Sequence, residues 1–274
     1  MSRTPLAGFP TQVTQLAEGM RPALLIHCSL AHAGAWGPLA RALTARGDAP
    51  ALTAFDLPGH GGSADWPGTP DYTDLATAIA RALAERLAEA AGPVDLVGHS
   101  FGGVVALRLT LEAPALVRSL ALIEPVLFAA ADPAARAWLQ AQEVPMVAAL
   151  AAGDRAAAAR SFLGLWGNGA PWEGLSERDR HVAAERIHLI AASAPALHQD
   201  AAGLLRPGRL ETLAAPCLLL EGALSPPVMA TICARLAARL PRAQQQRIDG
   251  AGHMLPVTHP AATAAALADL WHAD

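Results

Sequence analysis

The sequence predicts an α/β protein with a mostly parallel sheet, flanking helices and a helical lid insertion. Apolar runs of strand length alternate with helical patterns through the first part of the chain, and such alternation builds parallel sheets through right-handed crossovers. The alternation stops over residues 129–202, where several alanine-rich helical patterns follow one another, and it then returns. We therefore expect a core of residues 1–128 and 203–274 and a helical cap of residues 129–202.

Composition narrows the classes of function. The 274 residues are 53% hydrophobic and 16% charged, which favours one folded core with an insertion over a disordered chain. The net charge of −4, without clustered Lys or Arg, argues against nucleic-acid binding. The first residues lack the apolar run of a secretory signal, and no stretch is apolar enough to span a membrane, so a cytoplasmic protein without membrane association is expected.

Three cysteines, Cys28, Cys217 and Cys233, are widely spaced and include no CxxC pair. An odd number without paired spacing indicates neither a disulfide framework nor a zinc site. We expect buried free thiols and no metal or other cofactor.

The elements before residue 93 follow from local patterns. Residues 11–16 alternate polar and apolar side chains and predict an edge strand, with nothing structured before it. Apolar runs and helical patterns then predict two buried strands and two helices, at residues 23–26, 51–55, 36–45 and 73–90. Thr73-Asp74 is the expected cap of the second helix. Asp56 and His60 lie in a turn rich in glycine and proline, where hydrogen bonds to the backbone are expected rather than catalysis.

Ser100 stands where a short apolar strand turns sharply into a helix. Gly98 and Gly102 flank it in a Gly-x-Ser-x-Gly pattern, because the strained serine brings strand and helix so close that side chains there would collide. The strain holds Oγ clear of the sheet. Ser100 is therefore the candidate nucleophile, and the backbone N–H of Phe101, at the helix N-terminus, is a candidate oxyanion donor.

The elements after the nucleophile helix continue the alternation. A strand at residues 119–123 ends in Glu124-Pro125, and the insertion opens with a helix at Asp132-Pro133. Strands at 217–220 and 246–248 and a helix at 228–240 complete the core. Trp166 and Trp172 in the insertion are candidates for lining an apolar acyl pocket, the alternative being that they pack the core of the cap.

A serine nucleophile needs a base and a third group that orients the base. His253 follows the last strand on a glycine-flanked loop, which matches the chain order of serine, acid and histidine. His253 is therefore the candidate base.

Three motifs together resemble the α/β-hydrolase superfamily in its lidded, lipase- and esterase-like branch: Gly98 to Gly103, Asp56 to Gly61, and Gly252-His253. The resemblance covers nearly the whole chain except the lid and implies the family's fold and ester hydrolysis. In such hydrolases the second oxyanion donor comes from the loop after an earlier strand, which here nominates the N–H of Ser29.

Two positions depart from the family pattern. Cys28 occupies the oxyanion loop where the family usually has glycine, and Ser225 occupies the usual position of the acid. The second departure resembles certain haloalkane dehalogenases, which carry the acid one strand earlier. Glu124 fits this, because a strand end at the ligand-binding edge is a costly place for a charge without a role. Asp249 and Glu221 are the fallback acids.

The sequence thus predicts a serine hydrolase that cleaves a carboxylic ester or related small acyl substrate through an acyl-enzyme. Ser100 is the nucleophile, His253 the base and Glu124 the acid. The serine argues against dehalogenase or epoxide hydrolase chemistry, for which this fold uses aspartate. Other functions stay open: a cofactor-free acyltransferase, a perhydrolase, a C–C bond hydrolase, a ligand-binding protein without turnover and a partner-binding module. The sequence also leaves open the chain lengths of the substrate and the oligomeric state, including a homodimer.

Overall fold

The computed structural model of the protein describes residues 3–47 and 49–272. Nine strands lie in this part of the chain. They are β1 (Thr4–Leu6), β2 (Phe9–Thr11), β3 (Val13–Ala17), β4 (Pro22–Ile26), β5 (Ala51–Phe55), β6 (Val94–His99), β7 (Val117–Ile123), β8 (Cys217–Gly222) and β9 (Ala243–Ile248).

The α-helices of the same residues fall into core helices and insertion helices. The core helices are α1 (Gly37–Thr44), α2 (Tyr72–Ala91), α3 (Phe101–Glu112), α8 (Pro227–Ala237), α9 (Leu255–Thr258) and α10 (Pro260–His272). The insertion helices, which lie between β7 and β8, are α4 (Pro133–Ala151), α5 (Arg155–Trp166), α6 (Glu177–Arg186) and α7 (His188–Gln199).

The main sheet is mostly parallel, as the alternation of strands and helices predicts. Its order is β3-β5-β4-β6-β7-β8-β9, with β3 antiparallel to β5 and the remaining neighbours parallel. This confirms the predicted α/β architecture with a mostly parallel sheet. The carboxyl ends of β6, β7 and β8 therefore lie side by side at one edge, which is where ligand-binding loops collect in such sheets.

The N-terminal segment differs from the sequence prediction. Residues expected to be unstructured form β1, which pairs with β2 in a small antiparallel hairpin, and the single strand predicted at 11–16 is divided between β2 and β3. The prediction was wrong because Ala7 and Gly8 adopt positive φ angles of 48° and 77° and reverse the chain, a tight turn that the alternation pattern does not reveal.

Each face of the sheet is covered by helices. Leu24 and Ile26 of β4 pack in a cluster with α2, α3 and α8, whereas the alternate residues Ala23 and Leu25 pack in a second cluster with α1 and α10. Strands covered on both faces are continuously apolar, and β4 is buried at every position. Helix α2 begins one residue earlier than predicted, because the carboxylate of Asp71, rather than Thr73-Asp74, caps it by accepting from the N–H groups of Thr73 and Asp74.

Helix α4 opens the insertion as predicted, with the Asp132 carboxylate accepting from the N–H of Ala135 and Pro133 in the first turn. The insertion has a small apolar cluster of its own, centred on Met146, Ala158, Ala159, Ala183 and Ile187. Assignment of residues 129–202 as a separate cap stays a prediction. Within the described residues, no helix combines the length and apolarity needed to cross a membrane.

Candidate active site

Ser100 lies between the end of β6 and the start of α3, with φ 57° and ψ −119°. This backbone conformation is strained for a residue with a Cβ, and strain of this kind persists where the surrounding structure enforces it. The Ser100 N–H donates to the carbonyl of Ile123 on β7 at 2.9 Å, which ties the turn to the neighbouring strand. The N–H of Phe101, at the first position of α3, has no acceptor within the helix, so it is an oriented donor beside the serine.

The glycines on either side of Ser100 are required by close approach of the backbone. A Cβ on Gly98 would lie 2.3 Å from the carbonyl oxygen of Gly102, and a Cβ on Gly102 would lie 2.2 Å from that of Ile26. Both contacts are with backbone atoms, so neither can be relieved by rotating a side chain. The steric reason for the Gly-x-Ser-x-Gly pattern is therefore present in this turn.

His253 lies on the loop between β9 and α9 and meets the serine directly. Its Nε2 is 3.0 Å from Ser100 Oγ, and its Nδ1 is 2.9 Å from Glu124 Oε2. All three residues are buried, with Glu124 fully inaccessible. The structure thus brings together the three side chains predicted from sequence. The fallback carboxylates, Asp249 and Glu221, do not take the Nδ1 contact.

Glu124 follows β7 in a left-handed conformation with φ 50°. Its Oε1 accepts hydrogen bonds from the N–H of Gly222 at 2.7 Å and from the hydroxyl of Ser225 at 2.8 Å, which leaves Oε2 for His253. Ser225 occupies the usual acid position, and sequence reasoning treated it only as a missing carboxylate. In the structure it donates to the carboxylate that lies one strand earlier.

Two aromatic side chains pack against the imidazole of His253. The Trp166 ring lies edge-on, with centroids 4.8 Å apart, and the His99 ring lies at 5.1 Å. Burial, together with the charge of His253, lowers the pKa of His99 to about 3, so its ring is neutral. Its Nε2–H donates to the His253 carbonyl at 2.9 Å and fixes the loop that carries the candidate base. This agrees with the expectation that His99 is not itself the base.

The loop of residues 27–34, which carries Ser29, is held by the turn after β5. The N–H of Leu30, at φ 60°, donates to Nε2 of His60 at 3.0 Å, and the N–H of Ala33 donates to Oδ1 of Asp56 at 2.7 Å. Oδ2 of the same carboxylate accepts from the N–H of Gly62 at 2.7 Å. These contacts confirm that Asp56 and His60 bind backbone rather than reacting groups.

His27 and His60 act as neutral hydrogen-bonding groups beneath this loop. Nε2 of His27 accepts from the N–H of Leu57 at 3.0 Å, while its Nδ1–H donates to the carbonyl of Cys28 at 2.7 Å. Burial lowers the pKa of His27 to about 4. Burial and the proximity of His27 lower the pKa of His60. In each of these two rings both nitrogens are hydrogen-bonded to backbone groups, so neither ring competes with His253 for the role of base.

Cys28 occupies the position where glycine was expected. Its thiol is buried, and burial raises its pKa to about 12, so it is uncharged. Sγ lies 4.0 Å from Sδ of Met254, the residue after the candidate base. The side chain therefore packs against the loop of His253 while the chain continues into Ser29.

Two cavities, each of about 320 Å³, meet Ser29 and Ser100. The first, here called the apolar cavity, is lined mainly by the insertion, and its walls include Phe128, Met146, Phe162, Trp166 and Leu197. The second, the mixed cavity, also includes His253, Cys28, His32, Asp179 and Arg186. Their volumes lie at the lower end of the range for small-molecule sites.

Trp166 lines both cavities, in agreement with its predicted position. Trp172 lines neither of them among the residues that the structure describes, and the expectation for it is corrected. It begins a short turn after α5 and packs against the apolar cluster of the insertion, bordering a surface depression away from Ser100. Sequence reasoning did not separate the two tryptophans, although the stretch 167–174 around Trp172 is rich in glycine, asparagine and proline, which is typical of a loop. The described residues contain no cluster of His, Cys, Asp and Glu with the geometry to hold a metal ion.

The chain is similar to known proteins both in sequence and in fold. The model of the alpha/beta hydrolase family matches residues 23–266. A segment of 81 residues is 43% identical to the dihydrolipoyllysine-residue acetyltransferase component of the acetoin cleaving system of Cupriavidus necator, covering 30% of this chain and 21% of that protein. A segment of 100 residues is 36% identical to the pimeloyl-[acyl-carrier protein] methyl ester esterase of Nitrosomonas europaea, covering 36% of this chain and 35% of that protein.

The matches to these curated relatives thus span about a third or less of their length. Among solved structures, 2-hydroxy-6-oxo-6-phenylhexa-2,4-dienoate hydrolase from Rhodococcus sp. strain RHA1 aligns with 99% of this chain and 98% of its own, with a TM-score of 0.76 and 20% identity. A likeness at this identity concerns the fold.

Proposed function

The chain belongs to the α/β hydrolase family, and from this premise we propose that it is a serine hydrolase that cleaves a carboxylic ester or related acyl substrate through an acyl-enzyme. The observation that carries the proposal is the buried series of hydrogen bonds from Ser100 through His253 to Glu124, at 3.0 and 2.9 Å. Similarity of one segment to a methyl ester esterase supports an ester as the substrate.

In acylation, Ser100 Oγ attacks the carbonyl carbon of the substrate while its proton passes to Nε2 of His253. The Glu124 carboxylate accepts from Nδ1–H, which keeps Nε2 available as the acceptor and stabilises the imidazolium that forms. Hydrogen bonds from Gly222 and Ser225 hold the carboxylate in place during this step. His253 then gives its proton to the leaving alcohol.

The tetrahedral intermediate needs donors for its oxyanion, and the N–H groups of Phe101 and Ser29 are proposed for this role. Each such donor is worth about 10²- to 10³-fold in rate. Phe101 begins α3, and Ser29 lies on the loop fixed by His60 and Asp56 through Leu30 and Ala33. Water then attacks the acyl-enzyme, with His253 acting again as base and then as acid.

Labelling with a fluorophosphonate tests the proposal, because this probe phosphonylates activated serines. Intact-mass measurement of the wild type should show one adduct, and Ser100→Ala should show none. Glu124→Gln should label at least 100-fold more slowly, since the neutral amide cannot stabilise the imidazolium.

Absence of labelling in a correctly folded wild type, together with no hydrolysis of short-chain aryl esters, would overturn the proposal in favour of ligand binding without turnover. Thr212→Ala, on an exposed turn that lines neither cavity, serves as the control and should label like the wild type. Product analysis with added alcohol acceptors then separates hydrolysis from acyl transfer.

A further inference from the structure

The apolar cavity contains an acid and a base that the proposed mechanism does not use. Besides Ser29 and Ser100, its polar lining residues are Glu143, Ser193 and His198. The Ser193 hydroxyl donates to the carbonyl of Ile190 at 2.9 Å within its own helix. Glu143 and His198 are therefore the polar side chains of this cavity that are free to meet a ligand.

Glu143 on α4 and His198 on α7 face each other across the cavity wall. Oε1 of Glu143 lies 3.5 Å from Nε2 of His198, which is long for a hydrogen bond between such groups. The Glu143 side chain is only 16% exposed. Among the described residues that line the cavity there is no arginine or lysine, so no permanent cation neutralises this carboxylate.

Electrostatics of the pair favour an added cation. Burial raises the pKa of Glu143 to about 7, because its charge is poorly solvated, and burial lowers the pKa of His198. At neutral pH the imidazole is therefore mostly neutral and offers no compensating charge. A ligand cation would supply the missing partner and would favour the carboxylate form.

Aromatic rings complete the surroundings of the pair. The Phe128 ring packs against His198 with centroids 4.7 Å apart and against Trp166 at 5.8 Å, and all three line the cavity. A ring face attracts cations, and a carboxylate beside aromatic rings is the arrangement that recognises ammonium groups. The mixed cavity, in contrast, contains Arg186 as well as Asp179, so its carboxylate shares the cavity lining with a permanent cation.

We propose that Glu143, His198 and Phe128 form a subsite for an ammonium group carried on one arm of the substrate. A protonated amine donates hydrogen bonds to the Glu143 carboxylate and to a ring nitrogen of neutral His198, whereas a quaternary ammonium, which has no N–H, is held by the charge of the carboxylate and by the Phe128 ring. The apolar walls bind the methylene chain that joins either group to the ester. This inference rests on the proposed function and narrows the substrate to esters with an amine or quaternary ammonium on the acyl or alcohol side.

Matched substrates test the subsite on each side of the ester. Methyl 6-aminohexanoate is compared with methyl heptanoate, and butyrylcholine with 3,3-dimethylbutyl butyrate, because each pair differs in charge and hardly in shape. For at least one pair, the wild type should favour the cation about tenfold in kcat/KM. Glu143→Gln should abolish this preference for the cation. Glu89→Gln, an exposed residue of α2, makes the same charge change elsewhere and should keep the preference.

Binding to Ser100→Ala separates failure of the subsite from failure of the proposed function. Titration calorimetry with hexylammonium and tetramethylammonium, each against hexan-1-ol, requires no turnover. Tighter binding of an ammonium that is lost in Ser100→Ala/Glu143→Gln supports the subsite even if no ester is hydrolysed. Equal binding of cation and alcohol, or a cation preference unchanged by Glu143→Gln, overturns it even if neutral esters are hydrolysed.

Discussion

At the scale of single residues, the acid of the candidate triad shows how a carboxylate on one strand can contact the histidine in place of a carboxylate on the neighbouring strand. Glu124 follows β7, yet its Oε1 reaches Ser225 on the loop after β8 at 2.8 Å. We therefore expect a carboxylate at position 225 to reach the Nδ1 side of His253. The acid can change strands because the carboxyl ends of β7 and β8 are adjacent.

We predict that moving the acid to position 225 restores part of the activity lost in Glu124→Gln. The single variant should lose about 10²- to 10⁴-fold in kcat, and Glu124→Gln/Ser225→Asp should regain at least about tenfold. Steady-state kinetics and the rate of fluorophosphonate labelling measure this. If the double variant is no faster than Glu124→Gln, position 225 does not reach the base.

Glu221 is a buried carboxylate beside the site whose Oε2 has no hydrogen-bond partner in the described structure. Burial and the nearby Glu124 raise its pKa. A raised pKa means that folding favours the protonated form, so the protein loses stability as pH rises above about 4, the range where an unfolded glutamate ionises.

Glu221→Gln should therefore gain stability relative to the wild type as pH rises. Urea unfolding at pH 4 and pH 8 measures the free energy of unfolding of the variant and of the wild type. The variant's free energy of unfolding, relative to that of the wild type, should be larger at pH 8 than at pH 4. Glu89→Gln, which is exposed, should show no such trend. A difference that does not depend on pH would mean that Glu221 ionises as readily in the folded chain as in the unfolded one.

At the scale of elements, the site depends on two tight backbone arrangements, the turn between β6 and α3 and the loop after β4. In both, backbone N–H groups donate hydrogen bonds to acceptors on other parts of the chain. A substitution at either place should therefore change the geometry of the candidate site without removing any of its three side chains.

Gly102→Ala should prevent α3 from approaching β4, because the new Cβ would lie 2.2 Å from the carbonyl oxygen of Ile26. We expect a loss of about 2–3 kcal/mol in the free energy of unfolding and loss of labelling at Ser100. Gly164→Ala is the matched control on α5, where nothing lies within 4 Å, and it should be neutral or stabilise by up to about 1 kcal/mol. Equal stability of the two variants would contradict the steric argument.

His60→Phe should affect turnover more than substrate binding, because it removes the acceptor that holds the N–H of Leu30 next to Ser29. We expect kcat to fall about tenfold with little change in KM, since a displaced oxyanion donor weakens only the transition state. His60→Gln keeps an acceptor and should lose less. A parallel rise in KM, or an unchanged kcat, would show that the loop keeps its position without His60.

At the scale of the whole molecule, a buried carboxylate joins distant parts of the chain at the end of the sheet opposite the site. Asp95 on β6 accepts from Arg21, from Arg118 on β7 at 2.8 Å, and from Ser119 at 2.6 Å. Arg21 also donates to the carbonyl of Trp271 in α10. Burial works to raise the pKa of Asp95, but the hydrogen bonds from Arg21, Arg118 and Ser119 outweigh it and the pKa is lowered.

Asp95→Asn should destabilise the fold by about 3 kcal/mol, since three donors lose a charged acceptor. The lowered pKa means that the stabilisation is present above about pH 4 and is lost as pH falls through the folded-state value, so the difference from wild type should shrink in acid. Urea unfolding of both proteins between pH 7 and pH 3 measures this difference in the free energy of unfolding. Glu85→Gln in the exposed pair with Arg81 is the control and should cost less than about 1 kcal/mol.

Local patterns were sufficient for the α/β core and for the placement of Ser100. Apolar runs mark buried strands, and the elbow is constrained by residues within a few positions of the serine, so neighbouring residues encode both. His253 was identified because it follows the last strand in the chain order of serine, acid and histidine. Glu124 was identified because it ends a strand at the ligand-binding edge of the sheet and because certain haloalkane dehalogenases, which the chain resembles in this respect, carry their acid there.

Contacts between distant residues were decided only by the tertiary structure. The hydroxyl of Ser225 on Glu124, the separation of Trp166 from Trp172, and the approach of Glu143 to His198 depend on how loops and insertion helices pack. Alanine-rich helices offer many similar packing faces, so their periodicity predicts that they are helices but not which residues meet. The sequence by itself therefore determined the fold and the nucleophile turn, whereas the shape and charge of the cavities required the packed chain, because they arise between elements that no local pattern relates.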